Sequence, residues 1–456
     1  MTKFITFIHS CFKNILISIS LVLFISTLPG NAKTTGDTAK TEQSWNFHFQ
    51  NTEISQYHPA FNAKYTGLNS LDTSYEFPTS VTATLFFGAK LWKGAETYFN
   101  PELSGGDGFT KTTGIAGFPN GEVYRVNAST PKPYIARLLL KQIFALSDKY
   151  EILPDDLNQL ASRLPVSYIA IYAGRFSVMD YFDDNKYSHD PRMQFYNWVL
   201  MGNGAWDYPA NTRGYTYGIT FELVKPQWAI RFCAVMLPLY ANGWVMDADI
   251  KRSRGEALEF EHKYLIGNQT GIFRIMSYLN EARMGNYQEA INLGILHHVA
   301  PVVDSTRSLG RTKYGFGLSI EQPIDKNSGF FIRAGWNDGH NETWVFTEVD
   351  SHLSFGFTLN GEIWHRENDN FGIAQIIDGI SKYHQQYLEA GGYGFLIGDG
   401  HLNYRPEYIT ETYYSFKLPG YAWWLSPDFQ LIINPAYNHD RGPVIPALGL
   451  RSHIEF

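Results

Sequence analysis

Cysteine is nearly missing from this sequence: among its 456 residues only Cys11 and Cys233 carry thiols. Cys11 falls in an N-terminal segment expected to be removed, so Cys233 would stand alone, with no internal disulfide and no cysteine metal cluster. Charge of one sign is scarce too. A formal net charge of -7 leaves no basic footprint for nucleic acid, and none is expected as a partner. Beyond the N-terminus no stretch approaches the ~18 uninterrupted apolar residues of a membrane helix. That excludes helical spanning only, because a barrel strand crosses a bilayer with ~9–11 residues of alternating character.

Motifs of catalysis and metal binding are missing as well. There is no Gly-x-Ser-x-Gly elbow and no His-Glu-x-x-His helix, and the glycines of 391–394 and 398–400 have no βαβ unit around them. Asp183-Asp184-Asn185 lacks the alternating ligands, turn glycine and closing glutamate of a calcium loop. His297-His298, read as part of a strand, would point to opposite faces and could not share a metal. The expectation is therefore no enzymatic activity, no metal and no cofactor.

What the chain has is apolar and aromatic residues: 44% hydrophobic against 18% charged, with Phe 32, Tyr 29, Trp 11 and Gly 40. Such a chain can bury a large core, and aromatics with glycine suit twisted strands and tight turns. Lys3 and Lys13 precede the apolar stretch Ile15 to Leu28, followed by Pro29-Gly30-Asn31-Ala32. This has the form of a secretory signal peptide over residues 1–32, cut after Ala32. Residues 33–456 would remain as a single domain, more acidic still because the segment takes two lysines and no acid with it.

Strict period two runs through that domain. Tyr215, Tyr217, Ile219, Phe221 and Leu223 alternate with Thr216, Gly218, Thr220 and Glu222. After Lys225-Pro226-Gln227 the pattern resumes with Trp228, Ile230, Phe232, Ala234 and Met236, which reads as a hairpin. The same signature recurs from Tyr314 to Ile320 and from Leu353 to Leu359, with weaker copies at Val81–Phe87, Leu258–Ile266, Ile291–Val299, Phe330–Trp336, Thr410–Leu418 and Phe429–Ile433. Phe47–Ile54 and the leucine-rich Arg137–Leu146, whose register stays open, bring the number to roughly sixteen, with eighteen as the alternative. Leu157, Leu160, Ala161 and Leu164 have instead the spacing of a short helix.

A soluble sandwich would show the same alternation, so the chain end and the aromatics discriminate. Leu448, Leu450, Ser452, Ile454 and a terminal Phe456 alternate with Gly449, Arg451, His453 and Glu455. This resembles the sorting signal through which the barrel-assembly machinery receives outer-membrane barrels. Tyr168, Trp228, Tyr264, Tyr314, Trp336 and Trp364 lie at strand ends, as interfacial girdles require. The expected fold is all-β, a transmembrane antiparallel barrel in contact with outer-membrane lipids. Its longest stretch without alternation, 177–214, mixes Trp and Tyr with Asp, Asn and Arg, the groups that stack on a sugar ring and bond its hydroxyls. A loop of that length is usually functional, and it is the candidate constriction.

These residues resemble the carbohydrate-selective porin family of Gram-negative outer membranes. The resemblance is carried by Leu91-Trp92-Lys93-Gly94-Ala95-Glu96, Gly117-Phe118-Pro119-Asn120-Gly121-Glu122, Gly174-Arg175-Phe176-Ser177-Val178 with Asp180, and Asp190-Pro191-Arg192 through Asn197-Trp198. Gly204-Ala205-Trp206-Asp207-Tyr208, Gly398-Asp399-Gly400, Pro427-Asp428, Asn434-Pro435 and the terminal strand extend it over nearly all of the mature chain. It implies a sixteen-stranded barrel with inward-folded extracellular loops, located in the outer membrane and passing mono- or oligosaccharides down their gradient. Neutral sugars would be the partners, and monomer and homotrimer both stay open. Arg175, Asp183, Arg192, Trp198, Trp206 and Arg213, with Glu96 and Glu102 behind them, are the residues expected at the constriction. A general diffusion porin without sugar preference, or a hydrolase carried on a barrel, are the alternatives.

Overall fold

The first and last barrel strands, β1 (Trp45–Tyr57) and β18 (Ile445–Glu455), pair with each other in antiparallel register from Gln50 opposite Glu455 to Tyr57 opposite Leu448, so the sheet has no free edge. In this computed structural model the described residues are 42–124, 130–442 and 444–456; the expected signal peptide and its cleavage point after Ala32 lie outside them. Between the closing strands run β2 (Thr79–Trp92), β3 (Ala95–Gly106), β4 (Lys132–Ala145), β7 (Tyr168–Phe176), β8 (Thr216–Lys225), β9 (Trp228–Met236), β10 (Arg254–Ile266) and β11 (Gln269–Ala282). The circuit continues through β12 (Arg311–Pro323), β13 (Ser328–Asn337), β14 (Ser351–Asn360), β15 (Asn370–Gly379), β16 (Glu407–Lys417) and β17 (Trp423–Ile433). These make a closed sixteen-stranded antiparallel barrel, while β5 (Tyr150–Leu153) and β6 (Ser162–Pro165) form a separate small hairpin.

Period two has sorted the side chains into two populations, inverted relative to a water-soluble protein. Phe47, Phe87, Phe99 and Leu138 lie opposite one another across four successive strands and are all exposed. The alternate positions are polar and buried. Arg231 reaches Glu222 at 2.8 Å, Glu261 at 2.9 Å and Glu259 at 3.0 Å, and Arg274 bridges Glu261 at 3.0 Å to Glu321 at 3.3 Å. A ladder of alternating charge thus lines the inner wall from β8 to β12, each ion compensated by its cross-strand neighbour.

The turns at one end are short, as at Pro226-Gln227, where Lys225 pairs with Trp228. The connections at the other end are long. Short turns mark the periplasmic side of such barrels and long loops the extracellular side. The segment after β7 does not stay outside but crosses the lumen: Asn185 bonds Ser319 at 3.2 Å, Arg451 donates to the carbonyls of Pro191 and Gln194 at 2.7 Å, and Tyr278 donates to that of Ala205 at 2.8 Å.

Two segments differ from their expected form. Ile291–Val299 is not a strand: most of it belongs to a helix, Tyr287–His297, in the loop before β12. The Asn286 side chain accepts the Glu289 N–H at 3.0 Å, and the buried Tyr287, Ala290 and Gly294 recur at helical spacing. His297 and His298 therefore close a helix rather than alternate on a strand, His298 doing so with a φ of 52°. Leu157 to Leu164, expected as a short helix, is instead the tip and second arm of the β5–β6 hairpin. Pro154 and Pro165 bracket it, and Asn158 turns the chain with a φ of 53°.

The leucine-rich strand resolves through a bulge. Pro101 pairs with Ile135 and Asn100 with Arg137, leaving Ala136 as the extra residue. Leu138 and Leu140 consequently face outward, and Leu139 enters the apolar cluster under the loops. Arg137 turns into the lumen.

Candidate functional site

A cavity of about 350 Å³ lies between the inner wall of β1 to β4 and the 177–214 segment. Its polar centre is the Arg192 guanidinium, which donates to Gln50 at 2.6 Å, Glu122 at 3.0 Å and Glu102 at 3.3 Å. Arg192 takes its place because Asp190 accepts its backbone N–H at 2.9 Å in a local turn. Burial opposes its charge, but Glu122 and Glu102 hold it protonated. Glu102 itself is buried among donors: Thr84 at 2.6 Å, Tyr134, and Tyr215 at 3.4 Å.

A second pair stands beside it. Arg137 binds Asp180 through Nε at 2.8 Å and a second nitrogen, in the bidentate geometry guanidinium and carboxylate share. The third cation is arranged differently. The Arg213 guanidinium lies 3.7 Å from the centre of the Tyr134 ring, 4.5 Å from Trp244 and 5.0 Å from Tyr124, and donates to the Lys132 carbonyl at 3.3 Å. Among the described residues no carboxylate pairs with it. Its charge is met by ring faces, which keeps its edge available.

The apolar side is Trp198, stacked on Phe346 at 5.9 Å with 26° between planes and touching Phe118 at 5.4 Å. Asn197 caps the short helix Trp198–Met201 by accepting the Val199 N–H at 3.1 Å, which fixes the direction of the indole. Aromatic faces and planar charged groups therefore border one space.

The expected residues divide. Glu102, Arg192, Trp198 and Arg213 line the cavity. Asp183, Trp206, Glu96 and Arg175 do not. Asp183 is a loop anchor: its carboxylate meets Arg333 at 3.1 Å, and its N–H donates to Glu259 at 2.7 Å. Its neighbour Asp184 is exposed instead; desolvation by the surrounding protein resists its ionisation, but His189, Arg274, Arg231 and Arg333 hold it below the ordinary carboxylate range. Trp206 is fully buried beneath Phe182 and Tyr208. Glu96 pairs with Lys141 at 3.0 Å near the periplasmic end of β3. Arg175 shares the outward register of Leu138 and Tyr217, and its guanidinium lies 4.9 Å from the Tyr217 ring.

Sequence reading missed Arg137, Tyr134, Tyr215, Glu122 and Phe346. Arg137 was hidden by the bulge, and Phe346 reaches the site from a loop far along the chain. The polar centre makes a prediction. Arg192→Ala leaves Glu102 and Glu122 facing the lumen without their shared counter-charge, so the channel should shift several-fold toward cations. Reversal potentials in a KCl gradient measure this, and an unchanged potential would show that ions do not pass this cavity.

The sequence profile of the carbohydrate-selective porin, OprB family, matches residues 69–456 of the chain. No curated protein sequence matches it. Among solved structures it is similar to the high-pH structure of Pseudomonas putida OprB, with a TM-score of 0.69 and 15% identity over 91% of this chain and 94% of that one. The low-pH structure of the same protein gives a TM-score of 0.46 and 12% identity over 90% and 93%. The outer membrane channel DcaP of Acinetobacter baumannii gives 0.48 and 9% over 90% and 97%. The first of these likenesses is one of fold.

Proposed function

The chain belongs to the carbohydrate-selective porin family, and from that premise we propose that its sugars cross the barrel through the cavity bounded by Arg192, Glu102, Trp198 and Arg213. The protein is a sugar-selective porin of the Gram-negative outer membrane, and its family is one of channels rather than enzymes. The observation that carries the assignment of the path is the meeting of the Trp198–Phe346 stack with three guanidinium groups around one space.

Selective diffusion needs no reaction. A solute must bind well enough to be drawn in and weakly enough to leave. The C–H face of a pyranose ring matches an aromatic face, while vicinal hydroxyls match the parallel donors of a guanidinium or the two oxygens of a carboxylate. Because Arg192 and Arg137 are already paired with acids, the wall presents dipoles more than net charge, which suits an uncharged solute. Ligand cavities span roughly 300–1,000 Å³. The size found here is at the lower end, which favours one or two sugar rings at a time.

Single-channel recording of the refolded mature chain in planar bilayers, with neutral sugars from glucose to a trisaccharide, tests the reading. Current should be blocked in a sugar-dependent, saturable manner. Trp198→Ala should weaken that block about fivefold, the equivalent of the ~1 kcal/mol of an aromatic contact. Conductance indifferent to every sugar would mean general diffusion, and block indifferent to Trp198 would move the sugar path elsewhere.

A further inference from the structure

The periplasmic connections of the barrel are at most nine residues long, as at 361–369, with one exception. Residues 93–94, 226–227, 267–268 and 324–327 join their strands directly, whereas residues 146–167 between β4 and β7 form an excursion that contains the β5–β6 hairpin. The tip of this hairpin is fastened to lumen-facing groups at the foot of β1 and β3. Asn46 donates to the Asp155 carboxylate and to the Gln159 carbonyl, both at 2.9 Å, and His48 Nε2 lies 3.1 Å from the same carboxylate. Ala161 donates to the Gln43 side chain at 2.8 Å, and Gln43 returns a backbone bond to Ala161 at 2.8 Å. Leu160 donates its N–H to the Tyr98 hydroxyl at 3.3 Å and is itself buried.

So fastened, the tip reaches the sugar cavity from below. Leu157 and Asn158 belong to the same lining as Arg192 and Trp198. The carboxamide oxygen of Asn158 is buried and has no hydrogen-bond partner among the described residues. An unmatched buried acceptor costs free energy unless something supplies a donor, and the groups a neutral sugar supplies in abundance are hydroxyls. Asn158 is also held in the left-handed region, which fixes where its side chain points.

We propose that residues 154–161 form a latched periplasmic floor to the pore, and that Asn158 accepts a hydrogen bond from a hydroxyl of the sugar resting on it. The proposal rests on the reading of this cavity as the sugar path. The Asn46–Asp155–His48 contacts are the latch: sugar arrives from the extracellular side, meets the floor, and leaves when the tip swings off the foot of β1. Selectivity then resides in two chain segments that enter the barrel from opposite mouths, the 177–214 loop from outside and this tip from the periplasm.

Glycine accepts a φ of 53° without strain, so Asn158→Gly removes the acceptor and keeps the turn, while Asn158→Asp keeps both. In planar bilayers, with glucose and sucrose as probes, Asn158→Gly should weaken sugar block about fivefold, and Asn158→Asp should retain it. The double variant Asn46→Ala/Asp155→Ala should raise conductance about twofold or more as the floor is released. Heat-modifiable migration on gels reports that each barrel has closed. Trp198→Ala is the reference. If it weakens the block and Asn158→Gly does not, the sugar contact is wrong while the cavity reading survives; if neither does, both fall. Wild-type conductance from a closed Asn46→Ala/Asp155→Ala barrel overturns the latch.

Discussion

Arg333→Ala is expected to destabilise the barrel by about 3–5 kcal/mol, the usual cost of removing one partner from a buried ion pair. The guanidinium is fully buried and makes four kinds of contact with the crossing segment: the Asp183 carboxylate at 3.1 Å, the Asp183 carbonyl at 3.0 Å, the Ser188 hydroxyl at 3.2 Å and the Leu200 carbonyl at 3.0 Å. Asp183 also accepts the Asn203 N–H at 2.6 Å, so one arginine on β13 pins both arms of the segment. Alanine would leave the buried Asp183 carboxylate without its counter-charge and the Asp183 carbonyl without this donor. Lysine would not restore them, because a point charge cannot fill a fork of donors. Urea unfolding in lipid vesicles measures the loss. A midpoint unchanged from wild type would mean that the segment is held by its remaining bonds alone.

Trp206→Ala is the second large effect, and it separates support from recognition. The indole is fully buried, with ring centres of Phe182 at 6.1 Å and Tyr208 at 5.9 Å. Truncation leaves a void and should cost about 3–5 kcal/mol in the same unfolding experiment. Yet Trp206 does not border the cavity, so sugar block by the folded variant should stay near wild type. Trp198→Ala should lower both stability and sugar block, because that indole is also buried in the apolar cluster while it borders the cavity. A loss of sugar block in Trp206→Ala equal to that in Trp198→Ala would show that the indoles act together.

Much of the barrel can be read from alternation, for a physical reason: when one face of every strand meets lipid, each residue announces its side. Tyr215 to Leu223 and Trp228 to Met236 read as a hairpin because nothing in them competes with period two, and β8 and β9 are that hairpin. Where a local signal competed, alternation misled. Ile291 to Val299 has apolar residues at alternate places, but Asn286 and Glu289 start a helix upstream, and the cap decides. Leu157 to Leu164 has helical spacing, but bonds to Asn46, Gln43 and Tyr98 hold it otherwise. The site was legible in part. Arg192, Trp198 and Arg213 sit in the 177–214 segment that stands out by its mix of aromatics with Asp, Asn and Arg, whereas Arg137 needed the bulge at Ala136, which no pattern in a single strand reveals.

The inverted sorting of side chains also bears on how such a chain reaches its membrane. A protein of the outer membrane must first be threaded, unfolded, through the inner one, where a continuous greasy segment would be retained as an anchor. Spacing the apolar residues at every second position, as in Leu353-Ser354-Phe355-Gly356-Phe357-Thr358, halves the hydrophobicity that any extruding stretch presents. The chain becomes oily on one side only when its strands pair, after the journey is over. The alternation that builds the wall is thus also a passport through the first bilayer.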